Sequence, residues 1–120
     1  MEDELLKYLY DIREAASAIL RFVRGKTFDE YEQDELLRSG VERKFEILGE
    51  ALNRIRKDHP ALLGKIREHR NIASFRNILV HGYDSIDHTI VWGIIEEDLG
   101  ELLEDVERLT EEEDRTTRRS

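Results

Sequence analysis

Apolar residues recur along this chain in steps of three and four, the spacing of one face of an α-helix. In the first segment, Glu2 to Arg24, the inward positions are Leu5, Leu9, Ile12, Ala16, Ile19 and Val23. Glu2, Asp3 and Glu4 open it and Arg21 and Arg24 close it, so the charges complement the helix dipole at both ends. Gly25 is the expected C-cap of a helix about 35 Å long. Thr27 with Glu30 reads as a capping box that opens a second helical region. Its stripe, Leu37, Val41, Phe45, Leu48, Leu52 and Ile55, passes in phase through Ser39-Gly40. The helix is therefore expected to stay whole until Pro60, which forces the preceding residue out of helical geometry.

Residues 61–70 read as a short helical turn or an irregular connection. A shorter helix is expected from Asn71 to His81. Asp84 or Asp87 can cap the last helix, with Val91, Ile95, Leu99, Leu102, Val106 and Leu109 facing inward. The segment TEEEDRTTRRS, residues 110–120, holds no apolar side chain. The expected division is a helical bundle over 1–110 and a charged, disordered tail over 111–120. Strand signals and internal repeats are absent. The pattern predicts an all-α, antiparallel four-helix bundle in which one helix is shorter than the rest.

Composition supports that picture and narrows the function. At 120 residues the chain is one domain by size, with 39% charged and 39% hydrophobic residues, one proline and seven glycines. The absence of cysteine excludes disulfides, thiolate metal sites and cysteine nucleophiles. No apolar run reaches the length of a membrane span, and the acidic opening is the opposite of a signal peptide, so the expected compartment is the cytoplasm. A net charge of −9 argues against a general nucleic-acid coat. The charge is unevenly spread, however. From Arg54 to His81 seven basic residues face two acidic ones, a local balance of +5. From Asp84 to Asp114 thirteen acids face Arg108 alone, a balance of −12. A basic cleft on an acidic protein can still take a short or single-stranded segment of nucleic acid.

The chemistry-bearing run lies at the end of that basic segment: Arg76-Asn77-Ile78-Leu79-Val80-His81-Gly82-Tyr83. Asn77 and His81 are four apart and share a helix face, and the aliphatic trio between them supplies the buried one. Arg76 brings a permanent cation, His81 a group that titrates near neutrality, and Tyr83 a phenol. Arginine, histidine and a hydroxyl are the groups phosphodiester chemistry needs. The alternative is a helix end that uses His and Gly for capping alone. Glu50, a carboxylate amid the apolar stripe of the second region, is the candidate partner that would orient Arg76; the alternative is a solvated side chain. His59, His69 and His88 form no ligand set at metal spacing, so neither a metal nor another cofactor is expected. Gly64 and Gly82 stand alone and make no phosphate-cradling loop.

The run RNILVHGY resembles the signature of HEPN-domain proteins, Arg followed after four residues by His, with Asn directly after the Arg. Its Gly-Tyr extension is similar to the HepT-like ribonuclease toxins. The resemblance covers nearly the whole chain and includes FVRGKTFDEY, the LGEA tetrad at Leu48 to Ala51, SIDHTIVW and EDLGELL. The chain departs from the family in its lead-in to the motif, PALLGKIREHRNIASF, which is basic where a compact hydrophobic stretch is expected. The resemblance implies an all-α homodimer with metal-independent endoribonuclease activity. It further implies a type VII-like toxin–antitoxin system, with an MNT-type nucleotidyltransferase antitoxin that silences the toxin by binding it and by adding AMP to the motif tyrosine. Arg76 and His81 then become the catalytic pair, Asn77 a supporting residue and Tyr83 the modified one.

One chain offers one motif histidine, whereas cleavage through the 2′-hydroxyl needs both a base and an acid. A two-fold dimer joining two motif helices would supply two histidines and two arginines to one cleft. The rival expectation is a non-catalytic module that presents nucleotide or RNA to a nucleotidyltransferase partner. A purely structural helical adaptor would leave the polar set without a use.

Overall fold

The computed structural model describes the backbone of residues 2–81 and 86–119 and, within it, the side chains of residues 3–76 and 86–116. Every regular element among them is helical: α1 (Glu2–Val23), α2 (Phe28–Gln33), α3 (Glu35–Asp58), α4 (Pro60–Leu63), α5 (His69–His81), α6 (His88–Glu97) and α7 (Leu99–Arg119). The long helices are α1, α3 and α7. α1 packs against both others, α5 lies on α3, and α6 and α2 close the end near the start of α3.

The stripes read from the sequence are the core. Leu5, Leu9, Ile12, Ala16 and Ile19 of α1 meet Val41, Phe45, Leu48, Leu52 and Ile55 of α3 and Leu99, Leu102, Val106 and Leu109 of α7, all buried. Thr27 caps α2 in a complete capping box: the Glu30 N–H donates to its hydroxyl at 3.1 Å, and its own N–H donates to the Glu30 carboxylate at 2.9 Å. Asp87 caps α6 by accepting from the Thr89 N–H at 2.9 Å. The other candidate for that cap, Asp84, lies outside the described residues. Gly25 sits at φ 74°, the left-handed geometry that a residue after a helix end adopts.

Three departures have local causes. The second region divides at Asp34, whose backbone is extended and whose carboxylate accepts from the Leu37 N–H at 3.0 Å, starting α3 afresh. Ser39-Gly40 leaves α3 unbroken; the space at Gly40 is taken by the Phe22 ring, 3.4 Å from where a β-carbon would stand. Pro60 ends α3 and also opens α4 at its first position, where the missing N–H costs nothing. The last region divides at Asp98, across which hydrogen bonding continues through its N–H to the Ile94 carbonyl. In place of the disordered tail expected over 111–120, α7 runs on to Arg119. Glu and Arg are good helix formers, so the turns beyond Thr110 need no apolar face to persist.

α2 docks through Tyr31, fully buried, whose ring lies 5.3 Å from that of Trp92 on α6. Burial pushes the Tyr31 phenol well above its ordinary range.

The connection before α5 is pinned by a buried charge. Asp105 of α7, 2% exposed, accepts from the Arg67 N–H at 2.8 Å, from the Arg67 guanidinium at 3.0 and 3.2 Å and from Arg108 at 3.1 Å. Leu63 and Ile66, just before this clamp in the chain, bury their side chains in the core. Glu68 then takes a left-handed φ of 66°, redirecting the chain into α5. Burial alone would push the Asp105 carboxyl up, but the hydrogen bonds from Arg67 and Arg108 outweigh it and hold it below its ordinary value. A carboxylate held low stabilises the fold fully above the ordinary carboxylate range, and that contribution fades as pH falls through the folded value. Asp105→Ala should therefore cost about 2–3 kcal/mol at neutral pH, lowering the melting temperature by about 10 °C. It should also flatten the acid limb of stability against pH. Thermal melts at several pH values check this; equal melts for both proteins would show that the clamp contributes nothing.

Candidate active site

α5 is held on α3 by Ile72 and Phe75, both buried, with the Phe75 ring edge-on to Phe45 at 5.1 Å. This contact brings Arg76, the next residue, directly over Gly49. A β-carbon built on Gly49 would stand 2.3 Å from the Arg76 β-carbon and 2.5 Å from its γ-carbon, far inside contact distance. Only the bare backbone of glycine lets the two helices approach so closely at this point.

Past Gly49 the Arg76 guanidinium reaches the neighbouring carboxylate and donates through Nη2 to Glu50 Oε2 at 3.1 Å. Glu50 in turn accepts from Arg54 Nε through its other oxygen at 3.2 Å. Arg76 is three-quarters buried (side chain 24% exposed) while Glu50 remains half open. Arg76 Nε is buried and has no hydrogen-bond partner among the described residues. The guanidinium is thus anchored at one nitrogen, with donors left over for an anion.

The two residues line a cleft of about 480 Å³ between α1 and α3, whose far wall carries Lys7, Tyr8 and Asp11 and whose near wall carries Arg43 and Glu46. Arg43 donates to Glu46 at 3.2 Å, and the Tyr8 hydroxyl donates to Glu4 at 2.6 Å, a bond that raises the phenol above its ordinary value. The cleft therefore mixes charges, with most of its cations already paired.

Of the residues singled out in the sequence, the structure brings together Arg76 and Glu50. The backbones of Asn77 and His81 lie in the last two turns of α5, but their side chains lie outside the described residues, as does Tyr83 entirely. Gly49 carries no chemistry and escapes a search for polar groups. Its signal was its position: a glycine inside a helix costs about 1 kcal/mol relative to alanine, so one placed beside a candidate carboxylate implies a close approach. Among the described residues no three His, Asp or Glu side chains cluster as metal ligands. No helix among them is long and apolar enough to cross a membrane.

Known proteins resemble this chain over most of its length. The family described as "Ribonuclease HepT-like" matches residues 12–109, from the middle of α1 to the last buried leucine of α7. A "Probable ribonuclease HepT" of Thermococcus cleftensis is 34% identical over 102 residues, covering 85% of this chain and 92% of that protein. A "Putative RNase" of Methanocaldococcus jannaschii is 32% identical over 100 residues, covering 83% and 91%. Another protein of that printed name, from Caldanaerobacter subterraneus, is 27% identical over 106 residues, covering 88% and 94%. No solved structure matches the chain. With a family match that spans the core helices, the Gly49–Glu50 seat and Arg76 alike, the chain belongs to the HepT-like ribonuclease family.

Proposed function

We propose that this protein is a metal-independent endoribonuclease and the toxin of a toxin–antitoxin pair, with Arg76 and His81 as its catalytic residues. The observation that carries the reading is the seat built for Arg76: Gly49 admits it and Glu50 holds it, in a chain that belongs to a ribonuclease family. An arginine three-quarters buried and held at one nitrogen suits the non-bridging oxygens of a phosphodiester. His81 can take the proton from a 2′-hydroxyl, whose oxygen then attacks phosphorus. The bond to the 5′-oxygen breaks, a proton is delivered to that leaving group, and a 2′,3′-cyclic phosphate remains.

Base and acid are required in one cleft, so the active unit is a homodimer in which two motif helices meet across the two-fold axis. Asn77 supports the histidine or the dimer contact. A monomer by ultracentrifugation that still cuts RNA would overturn the composite site. The direct test of the enzyme is incubation of purified protein with RNA in the presence of a chelator, beside His81→Ala and Arg76→Ala. Wild type should cut and both variants should fail.

The controlling partner is an MNT-type nucleotidyltransferase that transfers AMP to Tyr83. AMP on the phenol would bring bulk and negative charge to the motif, opposing incoming phosphates as a phosphoryl group would. After co-expression with such a partner, mass spectrometry should find whole-AMP increments on the peptide holding Tyr83. Their absence from Tyr83 would remove this mode of control.

A further inference from the structure

Two more hollows continue from the Arg76 cleft toward the C-terminal end of α3. The first, about 490 Å³, is lined by Glu50, Asn53, Arg54, Arg56 and Lys57. The next, about 600 Å³, lies between α3 and α5 and includes Asn53, Arg56, His69, Arg70 and Ser74. Neighbouring hollows share walls: Glu50 and Arg54 join the first two, Asn53 and Arg56 the second and third. They form one groove that starts at Arg76.

The groove differs in charge from the rest of the protein. Glu50 is the single acid lining its two outer hollows, and it is occupied by Arg54 and Arg76. Arg56, Lys57 and Arg70 are exposed and pair with no acid among the described residues. In the same basic segment Arg67 is committed: it is bound by Asp105 and flanked by Glu101 and Glu104. Three unpaired cations in one groove, on a chain of net charge −9, form a local phosphate-binding surface.

We propose that this groove binds the backbone of one RNA strand and leads it to Arg76, with Arg56, Lys57 and Arg70 each meeting a phosphate. The proposal rests on the ribonuclease reading above. Hollows of about 490 and 600 Å³ hold a few nucleotides of one strand and are too small for a duplex. The two outer hollows mix polar and apolar lining, and His69 is their one aromatic ring among the described residues. Contacts to backbone without a stacking platform fix register and carry little base preference.

The test uses a short, fluorescein-labelled oligouridylate and the full chain carrying His81→Ala, so that binding is read without cleavage. Fluorescence anisotropy over a range of salt gives the affinity and its salt slope. Adding Arg56→Ala, Lys57→Ala and Arg70→Ala should flatten the slope by about 2, from about 0.7 per phosphate contact, and weaken binding on the order of 100-fold near 0.1 M salt. A control with the same loss of charge, Arg21→Ala, Arg24→Ala and Lys26→Ala at the C-terminal end of α1 and just beyond it, should leave the slope unchanged. Equal losses from both sets, or an unchanged slope in the groove set, would overturn the proposal. If the groove cations only complement the end of α3, the groove set lowers the melting temperature and keeps the slope, which also overturns it. Wild type that binds through the groove yet leaves RNA uncut would defeat the ribonuclease reading and leave the groove standing.

Discussion

Replacing His81 with alanine is expected to lower RNA cleavage about 10²–10⁴-fold, the usual contribution of a positioned acid or base. Arg76→Ala should cost about 10²–10³-fold, as loss of a donor to developing transition-state charge does. It should do so while leaving Glu50 to Arg54, its other partner. Arg76→Lys should not restore activity, because an ammonium cannot hold Glu50 and present a planar fork to phosphate together. A composite site makes a further demand. Subunits carrying His81→Ala, mixed and reassembled with subunits carrying Arg76→Ala, leave one histidine and one arginine in each mixed dimer and should recover part of the rate. With two histidines in different protonation states, the rate should fall at both acidic and alkaline pH. The measurement is a single-turnover rate with chelator present. Equal rates for wild type and both single variants would mean that a contaminant cuts the RNA.

Gly49→Ala should lower the same rate about 100-fold in a protein that remains helical. The added β-carbon would meet the Arg76 β-carbon at 2.3 Å, an atom fixed to the α5 backbone, so no side-chain rotation relieves it. α5 must retreat by about 1 Å to reach ordinary contact, and a displacement of that size at a catalytic group costs about 100-fold. Overpacking costs about 1–3 kcal/mol, offset in part by about 1 kcal/mol from alanine's higher helix propensity, so the change in stability should be small beside the change in rate. Gly93→Ala is the control: it too is helical, nothing lies within 4 Å of its added carbon, and it should gain about 0.5–1 kcal/mol with its rate unchanged. Full activity in Gly49→Ala would show that Arg76 does not depend on this seat.

Groove, seat and clamp act in series on one helix. Asp105 fixes the connection through Arg67, the connection launches α5, and α5 sets Arg76 over Gly49 at the mouth of the basic groove. The basic lead-in that departs from the family's hydrophobic expectation thus divides into two uses. Arg67 is committed to Asp105, and Arg70 remains unpaired on the surface facing the groove.

Much of this architecture was legible in the linear chain because its causes are local or periodic. The stripes of α1, α3 and α7 repeat at helical spacing, and a side chain on such a stripe has one face to bury. The Thr27 capping box and the Asp87 cap are agreements among neighbours. Asp34 carries the same kind of local signal, an acid three residues before Leu37, where the stripe of α3 begins. The length of α7 escaped because a segment with no apolar residue offers no periodicity to read, while its helix propensity remains high.

The sequence by itself determined the helices, their buried faces and the presence of an Arg, Asn, His and Tyr set at the end of the basic segment. Only the tertiary structure decided which cations are committed and which are free. Arg76 finds Glu50 across 26 positions, and Arg67 finds Asp105 across 38. At such separations nothing in the spacing of residues says which pair will meet, because the choice follows from how closely whole helices pack. Gly49 sets that distance for α3 and α5, and a residue without a side chain shows its role only when another helix is laid against it.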